Sequence, residues 1–431
     1  MVRVPHRRYI GRHPHERLRR RRYAPRLAGA AALFAVLGPG LLAGLSDDDP
    51  PGITTYSVLG ADYGYTLLWV LLISTIALIV FHEVAVRTGV VTGKGLLTLL
   101  RERRGPRTAH LVIGALLIAN FGTLCAEFAG IAAGAHLLVG IGRGIAVPVA
   151  AIAVGLLVLR GSFHRVEHVL LALSSVFVTY ILAGFLAGPD WGEAARGTFV
   201  PTLPGGRDAV LAVVATVGTT LAPWGLAFIQ SYAVDKRLSV KDLRYERIDV
   251  VTGAVLTGVI GLFVVVACAA TLHQSGVHID DAGDAAAALE PLAGSAASRL
   301  FAAGFLGAAL LAIAIVPLST AYSFSEARGR PADLDKHYSE ERGFYLGYVA
   351  LLAAAAILVV IPGVPIVPLL YLSQALNAIL LLAILPFIRS LASDPELMGE
   401  HRLGPAARTA TGITIALVAV SVVLLGVLTL S

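Results

Sequence analysis

Apolar residues run through this 431-residue chain in stretches of about twenty, separated by short charged segments. A helix of that length leaves no polar face for water, and at about 1.5 Å per residue it crosses the hydrocarbon of a bilayer. Eleven such stretches are predicted: 28–46 continuing through 52–62, then 65–87, 109–137, 144–160, 166–188, 208–234, 247–273, 298–325, 343–362, 365–388 and 409–430. The pattern is that of an all-α polytopic membrane protein with about 11 transmembrane helices. Two stretches are interrupted in the middle. The first contains Asp47-Asp48-Asp49-Pro50-Pro51-Gly52, where consecutive prolines remove backbone donors and force the helix to unwind. The sixth contains Thr219-Thr220-Leu221-Ala222-Pro223-Trp224-Gly225, built around one proline. Spans one and six open two five-helix halves, 27–190 and 205–390, with 405–431 as an eleventh span. Broken helices at matching places point to two inverted repeats of a transporter. Unwound backbone is tolerated at membrane depth where it faces protein or a water-filled cavity.

Composition and charge add a direction to this picture. The chain is 56% hydrophobic and 14% charged, against about 25% charged in soluble domains. The formal charge of +6 is carried by residues 1–26, a tail of ten Arg and one Glu, and the rest of the chain is slightly acidic. A nucleic-acid-binding body is thereby excluded, and the tail reads as a cytoplasmic anchor at an anionic leaflet. Lys and Arg recur in 88–108, 161–165, 235–246, 326–342 and 389–408, whereas the opposite segments hold Arg143, Arg196, Arg207, Arg299 and the acidic stretch 274–297. This asymmetry places the N-terminus in the cytoplasm of a bacterial-type plasma membrane. Cys125 and Cys268 lie in apolar runs, which excludes a disulfide framework or a metal-thiolate cluster. Apart from Met1 the one methionine is Met398, in a charged loop, so no thioether is offered inside the membrane.

An ionised carboxylate inside a span costs several kcal/mol and so marks a pathway or a ligand site. Asp49, directly before the double proline, is the first candidate for a central carboxylate. Asp47 and Asp48 either share its work or cap the first half-helix towards a vestibule. Unwound carbonyls around 49–52 and 219–222 would add neutral oxygens. Carboxylate, carbonyl and retained water suit a hard cation such as Mg²⁺, Mn²⁺ or Ca²⁺ better than copper or zinc. Glu127 is the other deep acid, as a cation ligand, a proton carrier or a supporting carboxyl. His82, Glu83 and Arg87 are expected to pair at the inner end of span two. No G-x-S-x-G elbow or phosphate-cradling loop is found, so no enzyme and no cofactor are expected.

The stretch Gly38-Pro39-Gly40 … Asp49-Pro50-Pro51-Gly52 followed by Gly64-Tyr65 and Leu67-Leu68-Trp69 resembles the first span of Nramp metal transporters. So does Glu83 through Thr92-Gly93-Lys94-Gly95-Leu96, and so does Leu372-Ser373-Gln374 … Leu385-Pro386-Phe387 … Ser393-Asp394 … Leu397-Met398-Gly399. The resemblance covers residues 35 to 400 and implies a LeuT-type fold, with a divalent cation held between unwound spans one and six. It implies Asp49 as the carboxylate, the Thr219 carbonyl as a ligand, Gly52 and Ala222 lining the site, and Glu127 and Gln374 nearby. The departures matter as much. Proton-coupled members carry Asp-Pro-Gly-Asn where Gly52 now ends the motif, and Met-Pro-His where Ala222-Pro223-Trp224 stands. Their second span-six His corresponds to Ile229, and the Asp of their span-three Asp-x-x-Glu corresponds to Leu124. Losing the Asn and Met side chains implies a larger, harder site that suits a hydrated Mg²⁺, and losing His and Asp removes groups a proton wire would need. Pro317-Leu318-Ser319-Thr320-Ala321-Tyr322 and Glu326 look like the Nramp-related magnesium transporter branch. The expected function is import of Mg²⁺, Mn²⁺ or both by alternating access without proton coupling. Asp48 and Trp224 are expected beside the ion's path, and the bilayer and the cation are the expected partners. The alternatives are a proton-coupled Mn²⁺ importer using Glu127, an inverted-repeat carrier of organic substrates, and a membrane protein that senses metal without moving it.

Overall fold

A computed structural model describes residues 38–160, 163–279, 282–330, 334, 341–363 and 366–430. The basic tail and the first residues of span one lie outside the described residues. The rest is helical. The prolines set the first boundaries: α1 (Pro39–Ser46) stops at the three aspartates, and α2 (Pro50–Tyr63) restarts with Pro50 and Pro51 in its first turn, where a missing N–H costs nothing. There follow α3 (Leu68–Thr92), α4 (Leu96–Arg104), α5 (Pro106–Val139), α6 (Arg143–Arg160), α7 (Phe163–Ser174), α8 (Val178–Leu186) and α9 (Trp191–Phe199). The second broken span is α10 (Arg207–Thr220) and α11 (Pro223–Asp235), separated by extended Leu221 and Ala222. The chain ends with α12 (Leu243–Cys268), α13 (Ala282–Ala327), α14 (Arg342–Val360), α15 (Ile366–Ser393), α16 (Pro395–Met398) and α17 (Pro405–Leu430).

Among the described residues nine helical segments, the broken pair α10–α11 counted as one, are long and apolar enough to cross a membrane. The broken pair α1–α2 and α15 bring the crossings to the expected eleven. Both breaks lie where the proline pattern placed them. The connections differ from expectation in being partly helical: α4 occupies the basic segment after span two, α9 the loop after span five, and α13 starts at 282 inside the acidic stretch, bending at Gly294 (φ 87). These short helices hold positive or negative side chains that water solvates, so hydropathy marks them only as breaks between spans.

The long helices α5 and α13 pack along each other at the centre, and α12 packs on both halves of the first span. Two close approaches decide how. Gly40 and Gly44 of α1 lie backbone to backbone against Val250 and Gly253 of α12, so that a Cβ at Gly44 would stand 2.6 Å from the Gly253 carbonyl carbon. Further out, a Cβ at Gly60 of α2 would meet the Val265 carbonyl of α12. Without side chains at these glycines the broken helix sinks into the bundle, and seven of the eight residues of α1 are buried. The periphery is the reverse. Ile76, Leu111, Ile118, Ile145, Val149, Ile152, Ile357 and Ile413 are exposed. An apolar surface of that extent is a lipid-facing belt on a multi-pass membrane protein.

Candidate metal site

At the first break Asp47 still has helical torsions (φ −75, ψ −14), and its N–H donates to the Gly44 and Leu45 carbonyls. Asp49 is extended (φ −71, ψ 167) and caps α2, its Oδ1 accepting the Gly52 N–H at 2.9 Å. An aspartate at an N-cap satisfies an orphan donor and faces the positive end of the helix. The second oxygen of Asp49 takes no part in this cap. The Glu127 carboxyl of α5 stands against that of Asp49, and both Glu127 oxygens are buried with no hydrogen-bond partner. What brings α5 so close is Gly130, where a Cβ would meet the Pro50 ring at 2.7 Å.

Thr219 comes to the same place from the second break. A Cβ built on Gly52 would lie 3.6 Å from Thr219 Oγ1, 3.2 Å from Asp49 Oδ1 and 2.9 Å from the Asp47 carbonyl oxygen. The two broken spans therefore meet across Gly52. A side chain at this position would start against the Asp47 carbonyl, so the glycine lets the backbone of the first break approach the second. Ala222, partly buried, is the N-cap of α11 with extended torsions (φ −96, ψ 131). Trp224 is buried, and its carbonyl accepts the Ser319 hydroxyl at 2.7 Å, which ties α11 to α13. Tyr56 OH and Thr220 Oγ1, 3.2 Å apart, join α2 to the end of α10. Gln374 lies on α15, but its side chain is outside the described residues.

The two aspartates read as either ligands or vestibule caps are both buried, Asp48 at 0% exposure, so neither faces open water. Asp48 has no hydrogen-bond partner on either oxygen. Asp47 points elsewhere: its Oδ1 would be 3.1 Å from a Cβ on Gly225, in the first turn of α11, and its Oδ2 lies 3.7 Å from His82 Nε2. His82 is thus not part of the pairing expected at the inner end of span two. Glu83 and Arg87 do pair there, at 2.6 Å, with Arg247 at 2.9 Å from the other Glu83 oxygen. His82 immediately precedes Glu83 but points about 100° away around the helix, and its inward direction is set by the packing of α3 on α1 and α11. Glu326, prominent in the eighth span, receives the Leu97 N–H at 3.0 Å and the Ser231 hydroxyl at 2.6 Å. It caps α4 from another helix rather than reaching the site.

Sequence reasoning also passed over Asn120 and Thr123. They share a face of α5 with Glu127, at the helical spacing i, i+3, i+7. Asn120 donates to Thr320 Oγ1 at 2.8 Å, while Asn120 Oδ1 and Thr123 Oγ1 are buried without a partner. The i, i+3, i+7 recurrence of polar residues in an apolar helix was their signal. Among the described residues no three His, Cys, Asp or Glu side chains converge as a metal cluster. The chemistry on offer is the Asp49–Glu127 pair with carbonyl oxygens at two helix breaks. Buried carboxylates without partners repel one another and are costly unless a cation joins them.

Comparison with known proteins bears on this arrangement. The sequence profile of the family described as "Natural resistance-associated macrophage protein-like" (Nramp) matches residues 40–428. A divalent metal cation transporter MntH of Acidiphilium cryptum is 33% identical over 299 residues, 65% of this chain and 67% of that protein. The MntH of Bacillus subtilis is 30% identical over 307 residues, 68% of this chain and 71% of that protein. The crystal structure of the Eremococcus coleocola manganese transporter superposes with a TM-score of 0.79 at 19% identity, covering 93% of this chain and 87% of that one. At that identity the likeness shows the fold, which is the LeuT-type arrangement with broken helices 1 and 6.

Proposed function

The chain belongs to the Nramp family, and from that premise we propose that it is a transporter of divalent metal cations, taking Mn²⁺ or Mg²⁺ as substrate by alternating access. The observation that carries the reading is the meeting of the two breaks at Gly52, with the Asp49 carboxylate and the Thr219 side chain on either side. Asp49 would bind the ion through the oxygen its cap leaves over. The carbonyls around Thr219 and Ala222 would complete the ligand set, with Glu127 balancing charge beside Asp49. Gln374 and Trp224 would border the path, and Asp48 would hold negative potential behind the site. The two halves, 27–190 and 205–390, would rock about this point as repeats.

Ala222 in place of a thioether leaves oxygen donors alone, which favours Mg²⁺ and Mn²⁺ over softer ions. The named function of the manganese-transporting structural neighbour supports Mn²⁺ within that pair. With the basic segments and the N-terminus inside, a potential of 100 mV favours entry of a divalent cation by about 4.6 kcal/mol, twice the single-charge value. That drives uptake without a proton, in keeping with Leu124, Trp224 and Ile229 at positions where coupled relatives carry ionisable groups.

A second reading, proton-coupled Mn²⁺ import using Glu127, is favoured by one observation the sequence did not offer, the placement of His82 beside Asp47. Asp47, His82 and Glu127 restore buried ionisable groups around Asp49. Vesicles loaded with a metal dye and a pH dye separate the readings. Uncoupled transport predicts metal entry at constant lumenal pH. Acidification in step with metal entry selects the coupled reading. An absence of metal entry from vesicles of folded protein refutes both.

A further inference from the structure

The first half-helix α1 begins at Gly38, which has no side chain to cap the orphan N–H groups of the opening turn. A residue two hundred positions away does so instead. Asp249 of α12, fully buried, accepts the Gly38 N–H at 3.2 Å and the Gly40 N–H at 2.6 Å on Oδ2, and the Leu41 N–H at 3.2 Å on Oδ1. Pro39 supplies no N–H, so one carboxylate satisfies every free donor of that turn. Beside it Lys236, one residue past the end of α11, pairs with Glu167 of α7 at 2.6 Å. A Cβ at Gly38 would fall 2.9 Å from Lys236 Nζ. The other charged group facing Asp249 is Glu246, one turn earlier on α12 and itself buried.

This gives four elements, α1, α7, α11 and α12, fastened at one end of the first broken helix. We propose that Asp249 is the latch of the transport cycle: a positioning residue that acts on the ion only through α1, by holding the half-helix down while that side is closed. Lifting α1 strips three donors from a buried carboxylate at once, and charge-assisted hydrogen bonds are about twice as strong as neutral ones. Whatever opens this side must first replace those donors, with water entering along α1. Removing the carboxylate removes the fastening and leaves the Asp49 site, at the other end of the half-helix, with its ligands in place.

The inference rests on the alternating-access reading of the site, and its test reads helix movement rather than metal flux. A reporter, Ala43→Cys, sits on α1 at 0% exposure, and the native Cys125 and Cys268 are buried. In oriented vesicles a membrane-impermeant maleimide is applied from the side of the α1 N-terminus, and thermal melting follows folding in parallel. Asp249→Ala is expected to raise the labelling rate at least tenfold. Asp249→Asn, which keeps an acceptor oxygen but no charge, is expected to raise it at least threefold. If the alanine variant does not fold, the asparagine variant decides by its own threshold. Labelling at the unmodified rate in a folded Asp249→Asn or Asp249→Ala protein overturns the latch. It would leave the divalent-cation reading untouched, because that reading fails only in the flux assay.

Discussion

Asp49 performs two tasks that substitution can separate. One oxygen caps α2 through the Gly52 N–H at 2.9 Å, and the negative charge is assigned to the ion. Asparagine is about as good an N-cap as aspartate, whereas alanine loses about 1 kcal/mol at such a position. Asp49→Asn therefore keeps α2 and removes the charge, and Asp49→Ala removes both. In the absence of metal the asparagine variant should melt at or above the wild-type midpoint, since Glu127 then loses a like-charged neighbour. The alanine variant should melt below it. Metal changes the order. Taking away one partner of a buried charge pair costs about 3–5 kcal/mol, which is about two to three and a half powers of ten in affinity. At a Mn²⁺ concentration of 100 Kd the wild type gains about 2.7 kcal/mol of stability, and Asp49→Asn should gain no more than about 0.4 kcal/mol at that concentration. Melting with and without Mn²⁺, alongside initial uptake rates into proteoliposomes, checks each step. Equal metal-induced stabilisation of wild type and Asp49→Asn would refute the assignment of the charge to the ion. Equal melting of the two variants without metal would refute the cap.

Two further outcomes follow from the same site. Ala222→Met restores a thioether at the N-cap of α11 and should shift competition during uptake towards Cd²⁺ over Mg²⁺ by about tenfold, measured as the ratio of inhibition constants. Gly130→Ala places a methyl group against the Pro50 ring, which cannot rotate away; overpacking of this kind costs about 1–3 kcal/mol. It should lower the melting midpoint and raise KM for the metal as Glu127 is pushed from Asp49, and a variant unchanged in both would show that the α5–α2 approach is not what holds the pair together.

The broken helices were legible because their cause is local. A double proline unwinds a helix wherever it occurs, and a carboxylate before it has a cap to fill, so Asp49 could be placed from six residues. Gly52 and Thr219 could be paired once the two breaks were matched. Asp47 and His82 could not be paired, because which way each side chain turns is decided by how α1, α3 and α11 stack. Asp249 is the same case more strongly. An acid at the start of an apolar span carries a signal, the cost of burying it, but the partners of Asp249 are backbone amides of a helix two hundred residues earlier, and backbone amides have no sequence signature. The α5 stripe of Asn120, Thr123 and Glu127 was readable as helical spacing and was hidden by the small size of its residues. Glu326 carried resemblance and yet serves as a cap for α4.

The contact of α1 with α12 bears on rate as well as on strength. Most helix interfaces interlock, so that parting them requires side chains to leave rotamer wells one after another. At Gly40, Gly44 and Gly253 there is nothing to interlock, only peptide surface lying on peptide surface. A half-helix seated on such a track can come away without any side chain there having to rotate. Friction along the path is low, and the time the helix takes to leave is governed by the charges at its end. Grip and departure time are thereby both set by Asp249 and its partners, while the glycine track keeps the path clear.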